Sequence, residues 1–228
     1  MTEFKKELEK EFEKEFELER VILFSDAVFA IAITLLIIEI KFPELPENYK
    51  NGFSLYEMFK PVIKHFLAFS ISFFFIGISW ARHLKLFSYL KTYDNGVIFL
   101  NLLNLFFIVT FPFVATGMTH TRPSFSFPVI IYIANIVFLF VTNAILAHYV
   151  FKTKPLLSKS ISKEERAYQY KKNVAPAIAM AACFCILLSV SIASNFNSQY
   201  INYCLYLLML TVGFTNRWVK KFKPKLSK

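Results

Sequence analysis

The chain has 228 residues; 56% are hydrophobic, 18% aromatic and 18% charged, with 28 phenylalanines, 5 glycines and a formal net charge of +10. A typical soluble domain is about half apolar and about a quarter charged, so this balance excludes a disordered chain, a collagen-like chain and most soluble enzymes of this size. Three cysteines without a Cys-x-x-Cys exclude a disulfide scaffold and a thiolate zinc site.

Residues 1–20 hold eight glutamates and five basic residues and no apolar run, so they are not a cleavable secretory signal. Phe4, Leu8, Phe12 and Phe16 recur every four residues and share one slowly drifting helical face. The stretch reads first as a helical cytoplasmic extension of the element that follows, and second as a packing stripe between subunits. From Val21 the composition changes. VILFSDAVFAIAITLLIIEI, residues 21–40, carries Asp26 and Glu39 as its only charges. A hydrocarbon core of ~30 Å takes about 20 apolar residues in a helix, and this segment fits. Five similar stretches lie near 61–81, 97–119, 127–151, 174–194 and 199–219. The expectation is an all-α polytopic membrane protein with six transmembrane helices per subunit. It divides into an N-terminal helical extension (1–20), a six-helix transmembrane domain (21–219) and a basic tail (220–228).

The charges orient the chain. With the N-terminus inside, residues 1–20, 82–95, 152–172 and 217–228 carry 21 of the 26 Lys and Arg residues. That asymmetry is the positive-inside pattern of a multi-pass protein of the cell membrane with both termini cytoplasmic. An even number of spans follows. A soluble nucleic-acid-binding protein is set aside, because the charge is confined between apolar spans rather than spread along an amphipathic surface.

Polar side chains inside lipid are costly, so they are functional candidates. The first span holds Ser25, Asp26 and Thr34, with Arg20 just before it and Glu39 at its far end. The second ends in Trp80-Ala81-Arg82-His83. The third holds Asn101 and Asn104, and the fourth Asn135, Thr142, Asn143 and His148. Cys183, Cys185 and Cys204 lie in apolar stretches and read as small core residues.

Arg20-x-x-x-Phe24-Ser25-Asp26 followed by AVFAIAITLL resembles the first-span signature of the TMEM175 family of potassium channels, a DUF1211-type family. Trp80-x-x-His83 and Asn101 followed by Phe111-Pro112-Phe113 are similar to the same family. One set of six spans resembles its prokaryotic members. The resemblance implies a homotetramer whose pore is lined by the first helix, with Ile31 matching the family's narrowest isoleucine ring. Helix geometry is compatible: Ile31, Leu35 and Ile38 stand at i, i+4 and i+7, share a face and climb ~10 Å. A narrow ring of such side chains gates by dewetting. Thr34 adjoins that stripe and supplies a hydroxyl oxygen.

Asp26, five residues before Ile31, points about 140° away from the stripe. It is expected to face His83, Asn101 and Trp80 of its own subunit. This cluster reads first as a scaffold that fixes the pore helix, and second as a titratable Asp–His pair able to relay protons. Arg20 has three readings: snorkelling to headgroups, joining the Asp26 cluster, or standing at the inner mouth. Glu39 is either a cation-concentrating ring at the outer mouth or an interfacial carboxylate in water. There is no Thr-Val-Gly-Tyr-Gly filter, so selectivity falls to side chains.

The function expected is a passive potassium-conducting cation channel, with a proton-coupled or other secondary transporter of small cations as the alternative. The expected partners are three further copies, the bilayer and K+, with other monovalent cations or protons also admitted and nucleic acid excluded. No enzyme motif, cofactor or metal set is expected; K+ is only the permeant ion. His65, His83, His120 and His148 are too dispersed for a metal site.

Overall fold

The computed structural model describes residues 2–38, 40–43, 55–119, 127–193, 210–211 and 213–224. Among them the chain is helical, joined by short connections. α1 is Thr2–Ile38, α2 Leu55–Phe87, α3 Asn95–Val109, α4 Phe111–Thr119, α5 Phe127–His148 and α6 Lys163–Ala193. Residues 213–220 are also helical. Among the described residues five helices are long and apolar enough to cross a membrane, which makes this a multi-pass membrane protein: Phe12–Ile38, Met58–Phe87, Asn95–Met118, Phe127–Thr153 and Lys163–Ala193. The sixth apolar stretch, near 199–219, falls largely outside the described residues.

α1 is a single unbroken helix. The glutamate-rich arm and the first span form one rod, because nothing between Thr2 and Ile38 is Gly or Pro. Phe4, Phe12 and Phe16 on its arm are all exposed. α2 and α3 meet at a tight connection where Asp94 caps α3, accepting from the Val97 N–H at 3.0 Å. α6 opens on Ser162, whose Oγ accepts from the Glu165 N–H at 3.1 Å, the first half of a Ser-x-x-Glu cap.

The third span is broken, which the composition alone did not show. α3 and α4 are separate helices on either side of Thr110. Pro112 has no N–H to offer the Ile108 carbonyl, so the ladder lapses there. In lipid a lapsed backbone bond needs a substitute. α5 supplies donors and acceptors beside the break, at the carbonyl one residue earlier: Asn135 Nδ2 donates to the Phe107 carbonyl at 3.0 Å, and Thr110 Oγ1 donates to Asn135 Oδ1 at 2.8 Å.

α5 is the inner helix of the subunit, packed against α6, α3 and α4. Two-thirds of its spanning window is buried (67%), against 22% for α1. The main core joins Phe29 and Leu36 of α1, Phe75 and Ile76 of α2, Ile108 of α3, and Tyr132, Ile133 and Ile136 of α5. Buried hydrogen bonds cross it: Ser72 Oγ with the Tyr132 hydroxyl at 2.9 Å, and Asn104 Nδ2 donating to Thr142 Oγ1 at 2.9 Å. A second core at one end joins Leu18, Leu86, Phe87, Val97, Val150 and Phe151. There α5 runs into a π turn, Tyr149–Thr153, and the 88–92 and 157–159 connections pair. Lys154 Nζ and the Tyr149 hydroxyl both donate to Asp94 Oδ2, at 2.6 and 2.9 Å. Burial acts to raise the Asp94 pKa, but these donors and the Val97 N–H prevail and hold it at about 2. The same pair raises Lys154.

Cys183 is half-buried, whereas Cys185 is exposed rather than a core residue. Residues 183 and 185 sit two apart on α6, about 200° around the axis, so one of them has to face outward.

Candidate functional site

Ser25 and Asp26 of the FSD motif tie α1 to its neighbouring helices by hydrogen bonds. Ser25 is fully buried (0% exposed) and Asp26 half-buried, and the two reach different helices because adjacent helical residues diverge by about 100°. Ser25 Oγ donates to the Val21 carbonyl at 2.8 Å and accepts from Asn101 Nδ2 of α3 at 2.9 Å. Asn101 Oδ1 in turn lies 2.7 Å from His83 Nε2 of α2. Since the amide oxygen only accepts, His83 is the Nε2–H tautomer and donates to it. The His83 ring is fully buried, stacked on Phe87 at 4.2 Å and tilted against Phe29 at 5.4 Å. Its Nδ1 has no hydrogen-bond partner among the described residues.

Asp26 is not bonded to that chain. Its Oδ1 accepts from Trp80 Nε1 at 2.8 Å, at the more open edge of the α1–α2 contact. The expected cluster is therefore two links rather than one: Ser25–Asn101–His83 inside, Asp26–Trp80 outside. The hub is the serine hydroxyl, which can donate and accept at once. A carboxylate in Ser25's place would have been buried without a cation.

Arg20 and Phe24 lie on the exposed side of α1. With Glu17, Val21, Tyr93 and Asn101 they line a crevice of about 320 Å3. The Tyr93 hydroxyl donates to Glu17 Oε2 at 3.3 Å, and Arg20 stands within electrostatic range of Tyr93. Arg20 is thus beside this set of bonds without bonding Asp26.

The rest of α1's outer face is open. Ile31, Leu35 and Ile38 are 58%, 42% and 66% exposed. Phe24, Ala27, Ile31, Thr34 and Ile38 are all exposed and follow the alternating three-and-four spacing of a helix-packing seam. Thr34 Oγ1 donates to the Ile31 carbonyl at 2.9 Å, which leaves the hydroxyl oxygen's lone pairs outward. Glu39 lies outside the described residues. Among the described residues no group of three His, Cys, Asp or Glu side chains is placed to hold a metal.

Sequence reasoning missed the Ser72–Tyr132 bond and Arg82's link to Asn216, 134 positions away (Arg82 Nη2 to Asn216 Oδ1, 2.8 Å). Both are contacts between distant helices, for which hydropathy carries no signal.

A family profile described as the endosomal/lysosomal potassium channel TMEM175 matches residues 20–112, which span α1, α2, α3 and the start of α4. A potassium channel of Streptomyces collinus is 42% identical over 93 residues, 41% of this chain and 43% of that one. A potassium channel of Chryseobacterium is 28% identical over 189 residues, 83% of this chain and 88% of that one. The chain spans about two-fifths of the length of the Streptomyces channel and of vertebrate relatives named endosomal/lysosomal proton channel TMEM175. The crystal structure of a lysosomal potassium-selective channel TMEM175 homolog from Chamaesiphon minutus superposes with a TM-score of 0.67 at 23% identity. That match covers 88% of this chain and 98% of that one, and the two share a fold.

Proposed function

We propose, for a chain whose residues 20–112 match the TMEM175 family profile, a passive potassium-conducting cation channel. Six spans per subunit assemble as a homotetramer in the cell membrane, with both termini cytoplasmic and four α1 helices around one axis. Ile31, Leu35 and Ile38 form stacked aliphatic rings that constrict and gate the path by dewetting. Thr34 places hydroxyl oxygens between them, and Glu39 stands at the outer mouth. Ser25, Asp26, Trp80, His83 and Asn101 hold each pore helix from behind.

The observation that carries this reading is the two-sidedness of α1. One face is fastened by interhelical hydrogen bonds to α2 and α3. The opposite face is an exposed seam with packing periodicity and a threonine within it. A polar position on an otherwise apolar face, turned away from the subunit's own helices, fits a packing or pore face better than a lipid face.

The test is ion flux from liposomes holding purified protein under a potassium gradient, with the particle mass measured in detergent. Ile31→Asn is expected to raise the leak and weaken preference for K+ over Na+, in a particle of four subunits. Unchanged flux and selectivity would overturn the reading. Flux coupled in fixed ratio to protons would instead favour a secondary transporter.

A further inference from the structure

Arg82 lies between Trp80 and His83 in sequence, yet takes no part in the bonds that tie α1 to its neighbours. Its side chain is 8% exposed. Nη2 donates to Asn216 and the guanidinium lies 5.1 Å from the centre of the Phe140 ring. Nη1 is buried with no hydrogen-bond partner among the described residues. A buried cation without a counter-charge is expensive, and each such group calls for a compensating partner.

The surroundings add charge of the same sign. Half-buried Lys172 of α6 stands within electrostatic range of Arg82 and Lys85 of α2 and of Lys220 and Lys223 near the C-terminus. Glu165 is within range of Lys85 and Lys223, and its Oε1 accepts from the Tyr89 hydroxyl at 2.7 Å and from Gln169 Nε2 at 2.7 Å; its single negative charge offsets one of these five cations and leaves the cluster strongly positive. Trp218 and Phe222 stand beside this cluster, each 47% exposed, with Lys171 Nζ 4.9 Å from the Phe222 ring centre. Exposed aromatic rings next to lysines at the end of an apolar span mark the headgroup level of a bilayer.

We infer that Arg82, Lys85, Lys172, Lys220 and Lys223 form a phosphate-type anion site between α2, α6 and the C-terminal segment. The ligand is the phosphodiester headgroup of an anionic lipid, or free phosphate, which shares its chemistry. Basic pockets between helices at the headgroup level recognise anionic lipids in this way. The adjacent aromatic pair favours the lipid as the source. The site does not depend on the channel reading, because its readout is lipid occupancy and not ion flow.

The experiment is native mass spectrometry and thermal melting of the full chain in detergent, titrated with phosphatidylglycerol or phosphatidylcholine. Phosphatidylglycerol is expected to bind and raise the melting temperature, and phosphatidylcholine to do neither. A surface lysine contributes about a fivefold factor in affinity, so Lys172→Gln with Lys220→Gln is expected to weaken phosphatidylglycerol binding roughly 25-fold. Lys5→Gln with Lys10→Gln removes the same charge from the α1 arm and is expected to leave binding within about twofold. Millimolar inorganic phosphate that displaces the lipid assigns the site to free phosphate; failure to displace assigns it to the headgroup. Equal binding by the Lys172/Lys220 variant and the unmodified chain overturns the inference. Equal weakening in the Lys5/Lys10 variant overturns it too, because the effect would then be net charge. Melting without added lipid shows whether either variant folds as the parent does.

Discussion

Replacing Asn101 with alanine removes a side chain of α3 that bonds α1 and α2 at once. Two interhelical hydrogen bonds go, to Ser25 Oγ at 2.9 Å and to His83 Nε2 at 2.7 Å. Interhelical hydrogen bonds in membrane proteins average about 0.6 kcal/mol and reach about 1.7 kcal/mol. The pair therefore sums to about 1–3 kcal/mol. The upper half of that range is expected here, because His83 is fully buried and its Nδ1 already lacks a partner among the described residues. After the substitution neither ring nitrogen is bonded, and a buried unsatisfied donor costs about 1–3 kcal/mol by itself. Trp80→Phe provides the internal comparison. It removes one bond, to Asp26, from a side chain 41% exposed. Its expected cost is below about 1 kcal/mol. Both variants are measured by equilibrium unfolding in mixed micelles with increasing denaturing detergent. A double-mutant cycle with Ser25→Ala should add a coupling of about 0.6–1.7 kcal/mol. If Asn101→Ala costs no more than Trp80→Phe, the Ser25–Asn101–His83 chain is not what holds α1.

Three further outcomes are expected. A Cβ added at Gly96 would collide with the Tyr149 hydroxyl and come 2.6 Å from its Cζ. Gly96→Ala should thus destabilise by about 1 kcal/mol through loss of the Tyr149–Asp94 bond, and should turn neutral or stabilising in a Tyr149→Ala background, as thermal melts will show. Asn135→Leu should cost about 1–2 kcal/mol by removing the bonds to the Phe107 carbonyl and the Thr110 hydroxyl, and a thermal melt unchanged from the parent would refute that role. Asp94 has a depressed folded pKa of about 2, so its stabilising contribution is present above its unfolded value near 3.8 and is lost as pH falls through about 2. Melting temperature should accordingly fall more steeply between pH 4 and pH 2 in the parent than in Asp94→Asn, and identical slopes would refute that role.

Much of this molecule is legible along the chain because lipid simplifies the code. A span must be long, apolar and nearly free of charge, and the described helices Met58–Phe87 and Phe127–Thr153 contain the stretches expected at 61–81 and 127–151. Helical period alone also put Ile31, Leu35 and Ile38 on one face and turned Asp26 away from it. Period says which residues share a face, but not what the face meets.

The partners were decided only in three dimensions. Ser25 and Asp26 are neighbours in sequence, but one bonds Asn101, 76 positions away, and the other Trp80, 54 positions away. The choice depends on how α2 and α3 cross α1, and on the serine hydroxyl's ability to sit in the dry contact where a carboxylate would be unpaired. The broken third span is of the same kind. Pro112 announces a missing N–H in the sequence, while Asn135 of α5, which bonds the Phe107 carbonyl beside the break, is placed there only by packing. Composition and period settle which segments enter the membrane, because each is a local property of transfer from water. Which polar group meets which is set by the crossing of helices far apart in the chain.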